Sequence, residues 1–275
     1  MKVGGKFLAI FVYCLRGGGA ERVAAYLANG LTERGDRVVV VTELGPETDQ
    51  YQLAPGIERV VIGQGEQQNP FNKVLGLIKK VMRVRAFLRT RRPDAFISFM
   101  TRCNNIALLA NLGLSFRVII SERNDPRFRA ELLIDRMIRR LLYRRASLVV
   151  AQTSTIEAIV KDRFKVRRTA CIPNPCVVNP TLPATAPVNP SGRGYILAMG
   201  RLFPQKGFDI LIKAFAASAA SLDHDLVIAG QGGTRELARV GRDIGDGRPG
   251  DLSRPCRRSI VPLIPLQAVR AVFPV

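Results

Sequence analysis

Apolar residues follow two rhythms along this chain, and the two alternate. Residues 7–13, 38–42, 57–62, 95–99, 118–121, 148–151 and 170–172 form short runs that are apolar at nearly every position. A strand that is apolar throughout has both faces covered, which is the mark of a parallel sheet. Between these runs the apolar positions recur at helical spacing. Val23, Ala24, Leu27, Ala28 and Leu31 follow a Gly-rich turn, and helices are predicted over 74–88, 106–111 and 128–145. A further helix is capped by Ser154 and runs to about Lys161. Strands alternating with helices predict an α/β fold with a Rossmann-type, doubly wound parallel sheet over residues 1–172.

Residues 173–192 are rich in Pro, Asn and Thr and read as a linker. A second α/β unit opens after it and spans 193–238, with a strand at 196–199, a helix at 208–220 and a strand at 226–229. A helix is predicted at 234–240. From 239 to 275 the periodicity is lost in a run of Gly, Pro and Arg, and an aberrant or disordered tail is expected there, with only an apolar patch at 260–264.

Loops at the carboxyl ends of parallel strands face the ligand crevice, so their polar residues are the site candidates. Gly17 and Gly19 fit the first two glycines of a dinucleotide fingerprint, and Glu43 stands near the end of the second strand. Arg22 occupies the place of the third glycine, which weighs against that reading. A tight turn needing glycine only for its dihedrals is the alternative. The segments 97–104 and 119–126 carry Thr101, Arg102, Asn104, Glu122, Arg123 and Asn124 directly after strands. Glu122 and Arg123 fit either ligand contact or a buried turn network. In the second unit, Gly200 stops a strand, Arg201 and Lys206 frame a loop, and Gly207 opens a helix. Backbone N–H groups and two cations at a helix start make either a phosphate site or a turn with solvated cations.

Charge adds a partner class. The 42 Lys and Arg against 22 Asp and Glu leave a net +20, which points to phosphorylated substrates, an anionic membrane surface or nucleic acid. Lys79, Lys80 and Arg83 lie on the 74–88 helix, whose cations have no acidic neighbours along the chain. That asymmetry favours a membrane surface or polyphosphate, with an ordinary sheet-packing helix as the alternative. Nucleic acid is disfavoured, because the cations are not interleaved with stacking aromatics. Five cysteines without paired spacing and a single histidine argue against a metal centre and for reduced thiols. The apolar run after Lys6 reads as a first strand rather than a signal-peptide core, and no stretch is long enough to span a bilayer.

Gly200-Arg201-Leu202 followed by Lys206-Gly207 and Asp209, together with Gly18-Gly19-Ala20-Glu21-Arg22, resembles the retaining GT-B glycosyltransferases of family 4. The segments at 97–104 and 119–126 resemble the subgroup that builds exopolysaccharides and lipid-linked oligosaccharides. The resemblance implies a GT-B-like pair of Rossmann domains, the second incomplete. It implies sugar transfer from a nucleotide-sugar to a lipid-linked saccharide with retention, without metal or other cofactor. Arg201 and Lys206 would hold the donor diphosphate, with Gly18, Gly19, Gly200 and Gly230 also on the donor side. Glu21, Arg22, Thr101, Arg102, Asn104, Arg123 and Asn124 would line the acceptor side, and Glu122 would contact an acceptor hydroxyl. The expected location is peripheral, on the cytoplasmic face of the inner membrane. The family's Glu-x7-Glu element does not follow Gly233. A truncation or frameshift near residue 238 is therefore expected, and a non-catalytic, membrane-binding acceptor-side module is the alternative.

Overall fold

The computed structural model describes residues 5–63, 72–127, 133–175, 194–203, 206–218, 224–230 and 260–264. The chain divides into two units, Met1–Cys176 and Val177–Val275. In the first unit the strands are β1 (Phe7–Val12), β2 (Arg37–Thr42), β3 (Glu58–Val61), β4 (Ala95–Phe99), β5 (Val118–Glu122), β6 (Leu148–Ala151) and β7 (Thr169–Cys171). The helices are α1 (Gly19–Glu33), α2 (Asn72–Arg91), α3 (Thr101–Ala110), α4 (Leu133–Leu142) and α5 (Ser154–Phe164). Every pairing is parallel, in the order β3-β2-β1-β4-β5-β6-β7. The order therefore reverses between β1 and β4, and the connections leaving those two strands part there to open a crevice.

Both faces of the sheet are covered, as the apolar runs predict. On one face Phe11, Phe96 and Ile120 pack against Val84 and Leu88 of α2, Ile106 and Ala107 of α3 and Val160 of α5. On the other, Ala24, Ala25 and Ala28 of α1 meet Ile10, Val12, Val38 and Val40, their small side chains letting the helix lie close.

Several boundaries differ from the expectation for identifiable reasons. Helix α3 begins at Thr101 rather than Ile106, because Met100 turns the chain at φ 73° and its carbonyl accepts from the Asn104 N–H at 2.9 Å. Thr101, Arg102 and Asn104 thus sit on a helix's first turns, not on a loop. Helix α1 takes in Glu21 and Arg22, and the Arg22 N–H bonds the Gly18 carbonyl at 3.0 Å. The cap of α5 is Thr153, whose hydroxyl accepts from the Ile156 N–H at 3.2 Å, so Ser154 is already helical. Residues 128–132 of the expected 128–145 helix lie outside the described residues, and Tyr143–Arg145 is a 3-10 turn.

The expected apolar stripe of α2 is buried only in its second half. Val84, Phe87 and Leu88 are in the core, while Val74, Leu75, Ile78 and Met82 are exposed. Leu133, Ile134, Met137 and Leu141 of α4 are exposed as well, Leu133 by 74% and Met137 by 62%.

The second unit contains β8 (Gly194–Met199), α6 (Phe208–Ala217), β9 (His224–Ala229) and β10 (Ile260–Ile264), with strands in the parallel order β10-β9-β8. The apolar patch of the expected tail is therefore a third strand on β9. The rest of that tail, and the helix expected at 234–240, lie outside the described residues. Leu202, Phe208, Ile212, Phe215, Leu226 and Ile228 form the core. Gly230 has no room for a Cβ, because the Gly200 carbonyl lies directly against it. The ends of β8 and β9 can approach so closely only with glycine at that position.

Candidate active site

At the β1/β4 switch point the loop after β1 is built from backbone bonds and one glycine. The Tyr13 carbonyl accepts from the N–H groups of Glu43 and Leu44 at 3.0 and 3.2 Å, tying the loop to the end of β2. Gly17 sits at φ 133° with the Gln50 amide filling the space a Cβ would need. The Gln50 N–H in turn bonds the Leu15 carbonyl at 2.9 Å. Arg59 fastens the loop after β2 by donating to Asp49, to the Leu44 carbonyl at 3.0 Å and to Thr42 Oγ1 at 3.1 Å.

Glu43 closes this corner. Its carboxylate is buried and accepts from Lys80 Nζ of α2 at 2.5 Å, while Arg102 Nε of α3 stands 3.7 Å from its other oxygen. The Arg102 guanidinium also lies 6.0 Å from the centre of the Tyr13 ring. Sequence reading placed Glu43 at a strand end but could not supply its partners. It set Lys80 on a face without acids, whereas the fold brings Lys80 onto a buried carboxylate. Arg91 likewise pairs with Glu58, and Arg83 and Arg85 donate to the carbonyls of Ile62 at 2.8 Å and Ala110 at 2.9 Å. Lys79 stands exposed.

Beneath the ends of β4 and β5 lies a buried polar network. Glu122 is 1% exposed and accepts from Tyr143 Oη at 2.8 Å, Arg139 Nη2 at 3.0 Å and Thr101 Oγ1 at 3.3 Å. Asn104 donates to the Ser121 carbonyl at 3.0 Å and accepts from Ser98 Oγ at 2.8 Å. These bonds supply the partners that a buried carboxylate and amide require, which is why a polar helix start can be buried at all. Glu122 was expected to meet an acceptor hydroxyl; here its carboxylate faces inward and anchors α3 and α4 to β5.

Burial, and then the Glu122 charge, hold the Tyr143 phenol well above its ordinary range. A raised folded value means that stability is full below the unfolded value of about 10 and falls as pH climbs beyond it. Between pH 10 and 11, urea unfolding of wild type is expected to lose about 1 kcal/mol more than Tyr143→Phe. Equal slopes would show that the phenol ionises freely.

The remaining acceptor-side candidates are dispersed. Arg123 is buried, donates to Asn174 and lies 5.8 Å from the Phe99 ring centre; burial lowers its affinity for its proton. Asn124 contacts Met100 Sδ at 4.0 Å. Glu21 folds back over Gly18, and Arg22 is exposed. Cys14 and Cys103 are buried, and burial pushes both thiols up, so neither is disposed to act as a nucleophile.

In the second unit Gly200 and Arg201 follow β8, and the Phe203 N–H bonds the Arg201 carbonyl at 2.8 Å. Arg201 is exposed, its guanidinium 5.8 Å from the Phe203 ring centre. Lys206 is exposed beside Gly207, which takes φ 65° as the start of α6. Neither cation has an acidic partner among the described residues. Two unneutralised cations beside a helix N-terminus can bind an anion, the Arg by a fork and the Lys as a mobile point charge.

A seven-stranded parallel sheet of this order, followed by a second parallel α/β unit, is the architecture of the GT-B glycosyltransferases. Residues 18–175 match the model of the glycosyl transferase 4-like domain, more than half of the chain, and the chain belongs to that family. It is 26% identical over 231 residues to a Campylobacter jejuni enzyme, GalNAc-alpha-(1->4)-GalNAc-alpha-(1->3)-diNAcBac-PP-undecaprenol alpha-1,4-N-acetyl-D-galactosaminyltransferase, covering 83% of this chain and 62% of that one. A second C. jejuni relative, N-acetylgalactosamine-N,N'-diacetylbacillosaminyl-diphospho-undecaprenol 4-alpha-N-acetylgalactosaminyltransferase, is 27% identical over 240 residues, 82% of this chain and again 62% of the relative. The chain thus spans less than two thirds of the length of these relatives. Among solved structures it resembles sucrose-phosphate synthase from Thermosynechococcus elongatus, with a TM-score of 0.71 and 17% identity over 96% of this chain and 72% of that one. It also resembles Anabaena HepE in complex with UDP and glucose, with a TM-score of 0.62 and 16% identity over 87% of this chain and 67% of that one.

Proposed function

We propose that the chain transfers a sugar from a nucleotide-sugar to a lipid-linked saccharide, with retention at the anomeric carbon. The observation that carries this is the pair of exposed cations, Arg201 and Lys206, between β8 and α6 in a chain of the glycosyl transferase 4-like family. Two C. jejuni relatives are named for diphospho-undecaprenol-linked acceptors, and the HepE structure holds UDP and glucose.

In the proposed reaction the acceptor oxygen bonds to the anomeric carbon as the bond from that carbon to the donor phosphate breaks. The acceptor proton passes to the departing phosphate oxygen, so no protein base and no metal is needed. Arg201 and Lys206 stabilise the negative charge that gathers on the diphosphate, and Gly200 and Gly230 keep side chains away from it.

The acceptor's lipid places the chain at a membrane surface, which we propose to be the cytoplasmic face of the inner membrane. Among the described residues no helix is long and apolar enough to cross a bilayer. Helices α2 and α4, which both pack on α3, expose the apolar residues described above. Arg136, Arg140, Arg144 and Arg145 are exposed beside those of α4, with no acidic partner among the described residues. An apolar face rimmed by cations suits an anionic interface, at about 1 kcal/mol per basic residue near the surface.

The test is incubation of the full chain with radiolabelled UDP- and GDP-sugars and a short-chain prenyl-diphosphate saccharide. Label is expected in the lipid product, with the nucleoside diphosphate released in equal amount. Absence of both transfer and nucleoside diphosphate binding would refute the reading. In a parallel flotation assay the chain is expected to rise with anionic vesicles and not with zwitterionic ones. Met137→Asp with Leu141→Asp should abolish that flotation. Vesicle binding without transfer or donor binding would favour the second reading, a non-catalytic membrane module, which the exposed face of α4 supports by itself.

A further inference from the structure

The crevice at the β1/β4 switch point holds a cluster of Glu43, Lys80, Arg102 and Tyr13, in which the resemblance gives Arg102 an acceptor-side place but gives Glu43 and Tyr13 none. We infer that Arg102 is a phosphoryl-binding fork and that Glu43 is the positioning residue that aims it. The inference rests on the reading that this crevice receives a substrate.

A carboxylate as deeply buried as that of Glu43 must be paired, and Lys80 satisfies Oε2 at 2.5 Å. The other oxygen, Oε1, is buried without a hydrogen-bond donor. The group nearest to satisfying it is Arg102 Nε at 3.7 Å, within ion-pair reach but beyond hydrogen-bond length. An unsatisfied buried oxygen is costly, so Glu43 pulls steadily on one edge of the Arg102 guanidinium.

The rest of Arg102 is available. Its side chain is 55% exposed, and its terminal nitrogens have no partner among the described residues. The guanidinium carbon lies 6.0 Å from the centre of the Tyr13 ring, and the Tyr13 carbonyl accepts from the Glu43 N–H at 3.0 Å. The Tyr13 and Glu43 backbones are therefore tied together at this corner. A guanidinium drawn toward Glu43 by its Nε leaves its two terminal nitrogens for ligand, the pair with which Arg grips two phosphate oxygens at once. Two cations and one carboxylate leave the cluster with an excess positive charge, which a phosphoryl group would neutralise. That group can come from the donor's diphosphate or from a prenyl diphosphate on the acceptor, and the chemistry of recognition is the same.

The experiment is titration calorimetry on the full chain with two probes, UDP and farnesyl diphosphate, and with farnesol as the control lacking phosphate. The variants are Arg102→Ala, Arg102→Lys and Glu43→Gln, each checked for folding by circular dichroism. Arg102→Ala, at an exposed position, is expected to weaken one probe by about ten-fold or more. Arg102→Lys should restore little of this, because a lysine has no fork. Glu43→Gln gives the decisive sign. If Glu43 only competed for the cations, removing its charge would tighten anion binding; as a positioning residue, its loss weakens binding of the same probe.

Weakening confined to farnesyl diphosphate identifies the acceptor as the source, and weakening confined to UDP identifies the donor. Unchanged affinity for both probes in Arg102→Ala, or tighter binding of both in Glu43→Gln, overturns the inference. Should Glu43→Gln unfold, the two Arg102 variants decide alone. Binding lost in these variants while wild type transfers no sugar would count against the transferase reading and leave this assignment standing.

Discussion

Alanine at both Arg201 and Lys206 is expected to weaken nucleoside diphosphate binding by about a hundred-fold to ten-thousand-fold, with no change in folding. Each cation offers hydrogen bonds to a charged ligand, worth about 1.5–3 kcal/mol. Two such losses sum to roughly 3–6 kcal/mol, which gives that range of affinity. Folding is spared because both side chains are exposed and leave the β8–β9 core of Leu202, Phe208 and Ile228 untouched. Calorimetry with UDP and GDP, alongside thermal melts of the same samples, checks both halves of the expectation. The single variants separate the roles. Arg201→Lys should lose more than Lys206→Arg, because only an arginine at position 201 can bind two oxygens with a fixed fork. Undiminished affinity in the double variant would remove the main support for a transferase.

What the sequence discloses and what it conceals follow one physical rule here. Periodicity is a local signal, and the strands from β1 to β7 are local features: apolar runs such as residues 38–42 announce burial on both faces. The Gly-rich turn after β1, the cations after β8 and the acid at the end of β2 are local too, and all were legible. Partnership across the fold is not local. Lys80 and Arg102 converge on Glu43 from α2 and α3, and Arg91 reaches Glu58, so α2 looks stripped of acids along the chain while several of its cations are paired or bonded to carbonyls. Polar composition misled for the same reason. Thr101, Asn104 and Asn105 read as loop, yet they open a buried helix because Glu122, Ser98 and Asp135 provide partners from other elements. The outward turn of Val74 and Ile78 is the converse case, a helical stripe longer than the sheet it packs on. The sequence signal for the Glu43 corner was an acid at a strand's carboxyl end, and only the β1/β4 crossover gives that position meaning.

The inward-facing Glu122 leads to the second large effect. Arg139→Met is expected to destabilise the first unit by about 3–5 kcal/mol, since it strands a buried carboxylate. For a unit of this size that is a fall of roughly 6–20 °C in Tm. Arg139 is itself 2% exposed, and its guanidinium lies 5.3 Å from the Tyr143 ring centre and 4.8 Å from that of Phe164, so little room exists for water to compensate. Adding Glu122→Gln to Arg139→Met should recover much of the loss, because the remaining amide can accept from Tyr143 and carries no charge to desolvate. This double-mutant cycle also settles what Glu122 does for turnover. An anchoring carboxylate makes Glu122→Gln lose stability and activity together, with activity returning on cooling below the lowered Tm. A carboxylate that touched the acceptor would lose activity at unchanged Tm, and Arg139→Met would then cost less than about 1 kcal/mol. The three bonds from Tyr143, Arg139 and Thr101 favour the first outcome, because they tie a 1% exposed carboxylate to α3 and α4.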